Sequence, residues 1–129
     1  MGMTRMDFFD RLRVGLPTRK HHIPEWDKEI TIRGLSAGQR DQYELMLKDM
    51  RDEGELAGTR ALLVAMCVVD DEGNRIFKDS DADELNGLPA MIMDPIFDMA
   101  ARLSGLLRAD LEQIEKNSEP QPRADSLLD

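Results

Sequence analysis

The chain has little cysteine and few aromatic residues, and both shortages exclude classes of protein. Its single cysteine can form neither an intrachain disulfide nor a thiolate metal cage. No apolar run approaches the ~20 residues that a membrane-spanning helix needs. Aromatic residues make up only 5% of the chain, so aliphatic side chains and methionine must build its core and any interface.

Basic residues are also scarce relative to acidic ones. The chain has 26 acidic and 17 basic residues, which gives a formal net charge of −9. This balance excludes non-specific binding to nucleic acid and argues against docking on anionic membranes, because both need a positive surface. The N-terminal segment has no apolar stretch of signal-peptide length. We therefore expect a soluble cytosolic protein, and 129 residues correspond to one domain.

Helical periodicity predominates in the hydrophobic pattern. We expect a mainly α-helical single domain over residues 1–116, with a small β element made of short strands near residues 23–33. An amphipathic helix is predicted within residues 1–16. The polar and basic residues 18–22 then indicate a connector.

Two helices are predicted in the middle of the chain. Ser36 and Gln39 have the spacing of a capping box, and the helix that they begin is expected to end at Gly54. Residues 61–69 are all apolar and fit either a buried helix or a buried strand. The run from 56 to 69 is about four helical turns long, which favours a helix as the central core element.

The last strong helix contains a proline. Because Pro95 would cost ~3 kcal/mol inside a continuous helix, we expect the helix to begin or kink at Asp94-Pro95 and to end at Gly105. A short helix is predicted over residues 109–115. Residues 117–129 are polar and proline-containing, so we expect a disordered tail there.

The sequence offers no convincing metal or catalytic site. Asp79, Asp81 and Asp83 resemble the start of a calcium loop, but the glycine and the glutamate that such a loop needs at later positions are missing. His21 and His22 are adjacent and do not share a helical face. The lone cysteine lies within an apolar run, where a thiol has little reactivity. We therefore expect no enzyme activity, no metal and no cofactor.

Methionine is abundant, with nine residues. It is flexible and polarisable, and it recurs on surfaces that bind varied apolar helices. Filling of the core is the alternative role. Met91, Ile92 and Met93 cannot all lie on the same side of a helix, so at least one of them is expected to be exposed.

Several short motifs follow one another in a characteristic order. An Ile-Pro-Glu-Trp segment at 23–26 leads through a charged strand to a helix start with an Arg-Asp pair at 40–41. The apolar run is followed by an acidic, glycine-containing turn at 70–77, and Phe-Asp-x-Ala-x-Arg-Leu-x-Gly-Leu stands at 97–106. Over about residues 7–118, this order resembles the tail assembly chaperones of long-tailed (HK97-type) bacteriophages.

The resemblance implies a non-enzymatic assembly factor. Such chaperones bind the tape measure protein, a very long helical chain that sets tail length, and they keep it soluble. They help to recruit tail tube protein subunits, in many phages through a longer frameshifted product, and they leave before the virion is complete. We therefore expect action in the host cytoplasm, no part in the mature virion, and compatibility with a homo-oligomer. The methionines expected to contact the client are Met46, Met50, Met91 and Met93.

Two other functions are compatible with the same residues. One is a structural virion component, such as a head–tail connector or a tail-terminator protein, which would remain in purified particles. The other is an acidic adaptor or inhibitor of a basic partner, which the net charge of −9 would attract.

Overall fold

The computed structural model of the chain describes residues 2–12, 15–54 and 58–106. The predicted fold class is confirmed, since these residues are mainly helical with one small antiparallel sheet. The predicted helix at 109–115 and the predicted tail at 117–129 lie outside them. The elements in chain order are α1 (Arg5–Leu12), β1 (Thr18–Ile23), β2 (Lys28–Arg33), α2 (Ala37–Asp52), α3 (Thr59–Cys67), β3 (Val68–Val69), a 3-10 turn (Asp79–Asp81), α4 (Ala82–Leu85) and α5 (Ala90–Leu103).

The segment predicted as a connector, residues 18–22, is a strand instead. It belongs to β1, which pairs with β2 along its whole length, from Thr18 opposite Arg33 to Ile23 opposite Lys28. In the sheet order β1-β2-β3, β1 is an edge strand, and its polar and basic side chains are typical of an exposed edge. Its own sequence lacks apolar alternation, so the strand forms because β2 supplies a pairing partner.

The central helix is shorter than its apolar run. It was expected to continue to Val69, but α3 ends at Cys67, and the last two residues of the run form β3. There Val68 and Val69 pair with Ile32 and Thr31 of β2. Both valines are buried and β-branched, and their backbone completes the second edge of β2.

The prediction that this run forms the centre of the core is confirmed for α3. Eight of its nine residues are buried. It packs against α2, α4 and α5, and α5 in turn lies against β1 and β2. The largest fully buried side chains of the core include Tyr43 of α2, Leu63 of α3 and Phe97 of α5.

The predicted capping box at the start of α2 is confirmed. The Ser36 hydroxyl accepts a hydrogen bond from the backbone N–H of Gln39 at 3.2 Å, and the Gln39 side chain accepts one from the N–H of Ser36 at 2.9 Å. The helix ends at Asp52, and Gly54 follows it with a φ of +78°, as expected of a glycine after a helix.

Of the two alternatives expected at Asp94-Pro95, the helix start is wrong, and the kink stays a prediction. Helix α5 begins at Ala90 and continues through Pro95, while Asp94 forms an ion pair with Arg60 at 2.7 Å instead of capping the helix. The apolar side chains of α5 before and after the proline are buried, and the free energy gained by this burial outweighs the ~3 kcal/mol cost of an internal proline. The predicted end is confirmed, because α5 stops at Leu103 and Gly105 has a φ of +69°.

A tight junction joins the sheet to the end of α5. Gly34 is buried, and a Cβ atom added to it would lie 2.1 Å from the carbonyl oxygen of Leu103. Beside it, the Leu35 N–H donates to the Ser104 hydroxyl at 3.0 Å, and the Arg40 guanidinium donates to the Gly105 carbonyl at 3.0 Å. Only glycine allows the two backbones to approach this closely.

Replacement of Gly34 by alanine is therefore expected to destabilise the fold by about 3 kcal/mol or more, because the clash is with backbone. The matched control is Gly38→Ala, which meets no atom within 4 Å and lies in the first turn of α2. This control should be neutral or stabilising by up to about 1 kcal/mol. Urea unfolding followed by circular dichroism measures both values, and equal midpoints for the two variants would contradict the close approach.

Candidate functional site

The four methionines predicted to contact a partner do not form one exposed patch. Met91 is 70% exposed, which confirms that the trio at 91–93 presents at least one side chain to solvent. Met93 is only 6% exposed and belongs to the core, so direct contact through Met93 is at odds with this structure. Met46 and Met50 of α2 are half-buried and pack against the core with part of each side chain accessible.

An apolar groove of about 290 Å³ is the most distinctive surface feature among the described residues. The β1-β2 hairpin contributes Ile23, Trp26 and Ile30, and the loop after β3 contributes Ile76 and Phe77. The remaining wall comes from α3, β3, the α4 region and α5, and every lining residue is apolar.

The hairpin turn holds one rim of the groove. The Trp26 N–H donates to the Ile23 carbonyl at 3.2 Å, and the Asp27 N–H donates to the Pro24 carbonyl at 3.3 Å. Asp27 has a φ of +49°, a left-handed conformation that aspartate tolerates better than most residues. Trp26 therefore stands exposed at the tip of the hairpin, directly beside buried Ile23.

A second turn brings the opposite rim into place. The Asp70 carboxylate accepts hydrogen bonds from the N–H groups of Glu72 and Asn74, each at 2.9 Å, and so closes a tight loop after β3. The chain then returns along β3, where the N–H of Ile76 donates to the Val68 carbonyl at 3.3 Å.

Arg75 anchors this returning loop. Its guanidinium donates to the Ala65 carbonyl in α3 at 3.1 Å and to the Asp79 carboxylate at 2.7 Å. These bonds hold the next two residues over the groove. Ile76 is 54% exposed at the rim, and Phe77 is half-buried inside it.

The groove residues were not singled out by the sequence interpretation. The available signals were the only tryptophan, set in a predicted β segment, and an Ile-Phe pair flanked by Arg75 and Lys78 after an acidic turn. Neither signal indicates a shared site, because Trp26 and Ile76 are 50 positions apart and meet only through the β2-β3 pairing and the Asp70 turn.

The groove offers burial of apolar surface rather than reaction chemistry. No ionisable side chain lines it. Insertion of one large aliphatic or aromatic side chain from a partner would gain about 1.5–3 kcal/mol from removal of its surface from water. A helix that projects such side chains at helical spacing is the kind of ligand that this geometry fits.

Two of the residues weighed as metal ligands have structural roles. Asp79 pairs with Arg75, and the Asp81 carboxylate accepts the N–H of Lys78 at 2.8 Å. His22 lies 3.8 Å from the exposed Asp27 carboxylate. Across residues 2–12, 15–54 and 58–106, no group of three or more potential ligands could hold a metal ion.

The buried titratable groups are also in structural positions. Burial raises the pKa of the Cys67 thiol to about 11, and its sulfur lies 3.7 Å from the Ser104 hydroxyl oxygen. Burial likewise raises the pKa of Tyr43 above its ordinary value, and its hydroxyl donates to the Thr59 carbonyl at 2.8 Å. Both groups stay protonated at neutral pH, so the Cys67 thiolate needed for nucleophilic attack is strongly disfavoured.

Comparisons with known protein families, with curated proteins and with solved structures gave no match. In the described part of the chain, no helix has the length and apolar character required to cross a membrane.

The two methionines of α5 provide a direct test of the burial pattern. Met93→Ala is expected to destabilise the protein by about 2–5 kcal/mol, because it removes a core side chain and leaves a cavity. Met91→Ala, two residues away on the opposite side of the helix, should change the free energy of unfolding by less than about 0.5 kcal/mol. Urea denaturation measures the free energy of unfolding of both variants. A larger loss for Met91→Ala than for Met93→Ala would refute the orientation of α5.

Proposed function

We propose that this protein is a non-enzymatic tail assembly chaperone of a long-tailed bacteriophage, which binds apolar helical segments of the tape measure protein. The observation that carries the proposal is the apolar groove between the hairpin turn and the loop after β3. The motif order from residue 23 to residue 106 supplies the identity of the client.

The physical requirements of such a chaperone agree with this surface. A tape measure chain exposes apolar stripes along its helices until the tail tube covers them. A groove with purely apolar walls accepts such stripes with little dependence on their exact sequence, because it makes no directional hydrogen bonds. The net charge of −9 favours the solubility of the loaded complex.

Three of the predicted methionine contacts remain part of the proposal. Met91 is exposed, and Met46 and Met50 are partly accessible on α2, so these side chains supply adaptable contacts outside the groove. Met93 is left out because it is buried. Recruitment of tail tube protein through a frameshifted longer product, action in the host cytoplasm and departure before the virion is complete also belong to the proposal.

The test is co-expression with the tape measure protein of the same phage, followed by measurement of its solubility and co-purification. The wild-type chain is expected to keep the tape measure soluble and to travel with it. Ile76→Asp places a charge at the groove rim and should weaken the complex by about tenfold or more, since a carboxylate must then be buried on binding.

The matched control is Leu45→Asp, because Leu45 is 60% exposed on α2 and does not line the groove. It should leave co-purification within about twofold of wild type. Equal loss in both variants would contradict a specific role for the groove. If the wild-type chain neither keeps the tape measure protein soluble nor co-purifies with it, the chaperone proposal is refuted. Recovery of this chain in purified virus particles would favour a connector or terminator protein.

A further inference from the structure

Helix α1 and the residues before it expose several large apolar side chains to solvent. Phe8 is 63% exposed, and Met3, Met6 and Phe9 are exposed as well. Phe9 contacts the Arg5 guanidinium, which lies 4.6 Å from the centre of its ring. An exposed helix with three large apolar side chains, preceded by exposed Met3, is unusual beside a core built from so few aromatic residues.

The helix has a well-defined start but too little support of its own. The Thr4 hydroxyl accepts a hydrogen bond from the N–H of Asp7 at 3.2 Å, and the Asp7 carboxylate accepts one from the N–H of Thr4 at 2.9 Å. This capping pair sets the first turn. A helix of eight residues is nevertheless marginal in water, and it gains stability chiefly by burying its apolar face against another surface.

We propose that α1 of one copy docks into the apolar groove of a second copy of this chain. The groove lined by Trp26 and Ile76 is purely apolar, and α1 presents Met6 and Phe9 one helical turn apart, with Phe8 beside Phe9. Each copy therefore carries both a helix to donate and a groove to fill.

The chain geometry favours a second copy over docking within one chain. The Pro17 carbonyl accepts the N–H of Gly34 at 2.8 Å, which ties the chain to the end of the hairpin opposite the turn at Trp26. From there, Ile23 is six residues away, about 20 Å along an extended strand. The link from residue 12 to residue 17 spans about 17 Å when fully extended, and Phe8 lies about 6 Å further along α1. Helix α1 of the same chain therefore reaches the groove only with a nearly fully extended link, whereas Gly15 has a φ of +91° and bends it.

Charge supports the same pairing. Residues 70–85, which contribute Ile76, Phe77 and Leu85 to the groove, contain seven acidic and two basic residues, a net charge of −5. Residues 1–13 contain three basic and two acidic residues, a net charge of +1. This N-terminal segment is therefore attracted to the rim, whereas an acidic segment of the chain would be repelled.

The consequence is regulation of the client site. Because α1 and a client helix would occupy the same groove, the free protein covers its own apolar surface by self-association, and a client displaces α1. This competition rests on the proposed function, whereas the docking of α1 does not. Head-to-tail pairing of this kind closes into a ring or continues as a chain of copies.

The test uses the purified full-length chain without any client, examined by sedimentation velocity over a wide range of concentrations. Wild type is expected to self-associate. Phe8→Asp alters the helix, Ile76→Asp alters the groove, and each should weaken self-association by about tenfold or more. Both positions are exposed, so circular dichroism should show unchanged folding, and Leu45→Asp should associate like wild type.

The decisive experiment mixes the two variants. Phe8→Asp retains an intact groove and Ile76→Asp retains an intact helix, so together they should form a one-to-one complex that neither forms alone. Wild-type protein that stays monomeric, or a mixture that shows no complex, would overturn the proposal. No tape measure protein is present in these experiments, so a negative result in either of them does not contradict the chaperone proposal. Conversely, a failed co-purification with the tape measure protein does not contradict the docking of α1.

Discussion

The burial of α3 is the constraint on which the rest of the structure depends. A helix with eight buried residues out of nine cannot face water on any side, so other elements must cover it all round. Helices α2, α4 and α5 pack against it, and the sheet is held in place partly through α5. The close approach of Gly34 to Leu103 then joins the sheet to the end of α5. The short length of the chain leaves few elements for this task.

The apolar groove lies over part of this core. Val64 of α3 and Val68 of β3 lie at its base, and the walls above them come from the hairpin turn and from the loop after β3. Arg75 fastens that loop to a carbonyl of α3, so the rim at Ile76 is tied to the central helix. Such a site favours a ligand that buries the exposed apolar rims at Trp26 and Ile76, which is what an apolar helix does.

The two proposed ligands, a tape measure helix and α1 of a second copy, share this chemistry and differ in source. Both bring apolar side chains at helical spacing, and neither requires a directional hydrogen bond from the groove. The strong acidity of the chain counteracts the aggregation that exposed apolar surface otherwise promotes. A protein that must hold apolar segments without precipitating benefits from both properties together.

Local sequence was sufficient for features that depend on neighbours along the chain. The capping box of Ser36 and Gln39, the buried run of α3 and the end of α5 at Gly105 follow from side chains within a few residues of one another. The exposure of one methionine beside Met93 also follows, from helical spacing alone. By contrast, the sequence did not reveal which of the two methionines faces the core, because that depends on what packs against α5.

Features that depend on distant partners required the folded chain. Strand β1 is polar and exists because β2 pairs with it, and β3 leaves a helical run because β2 has a free edge. Pro95 is tolerated because the apolar face of its helix is buried. The groove belongs to the same class, since the hairpin and the loop that form its two rims come together only through the sheet. Propensity acts over a few residues, whereas pairing and burial act across the whole fold, and where the two conflicted in this protein, pairing and burial prevailed.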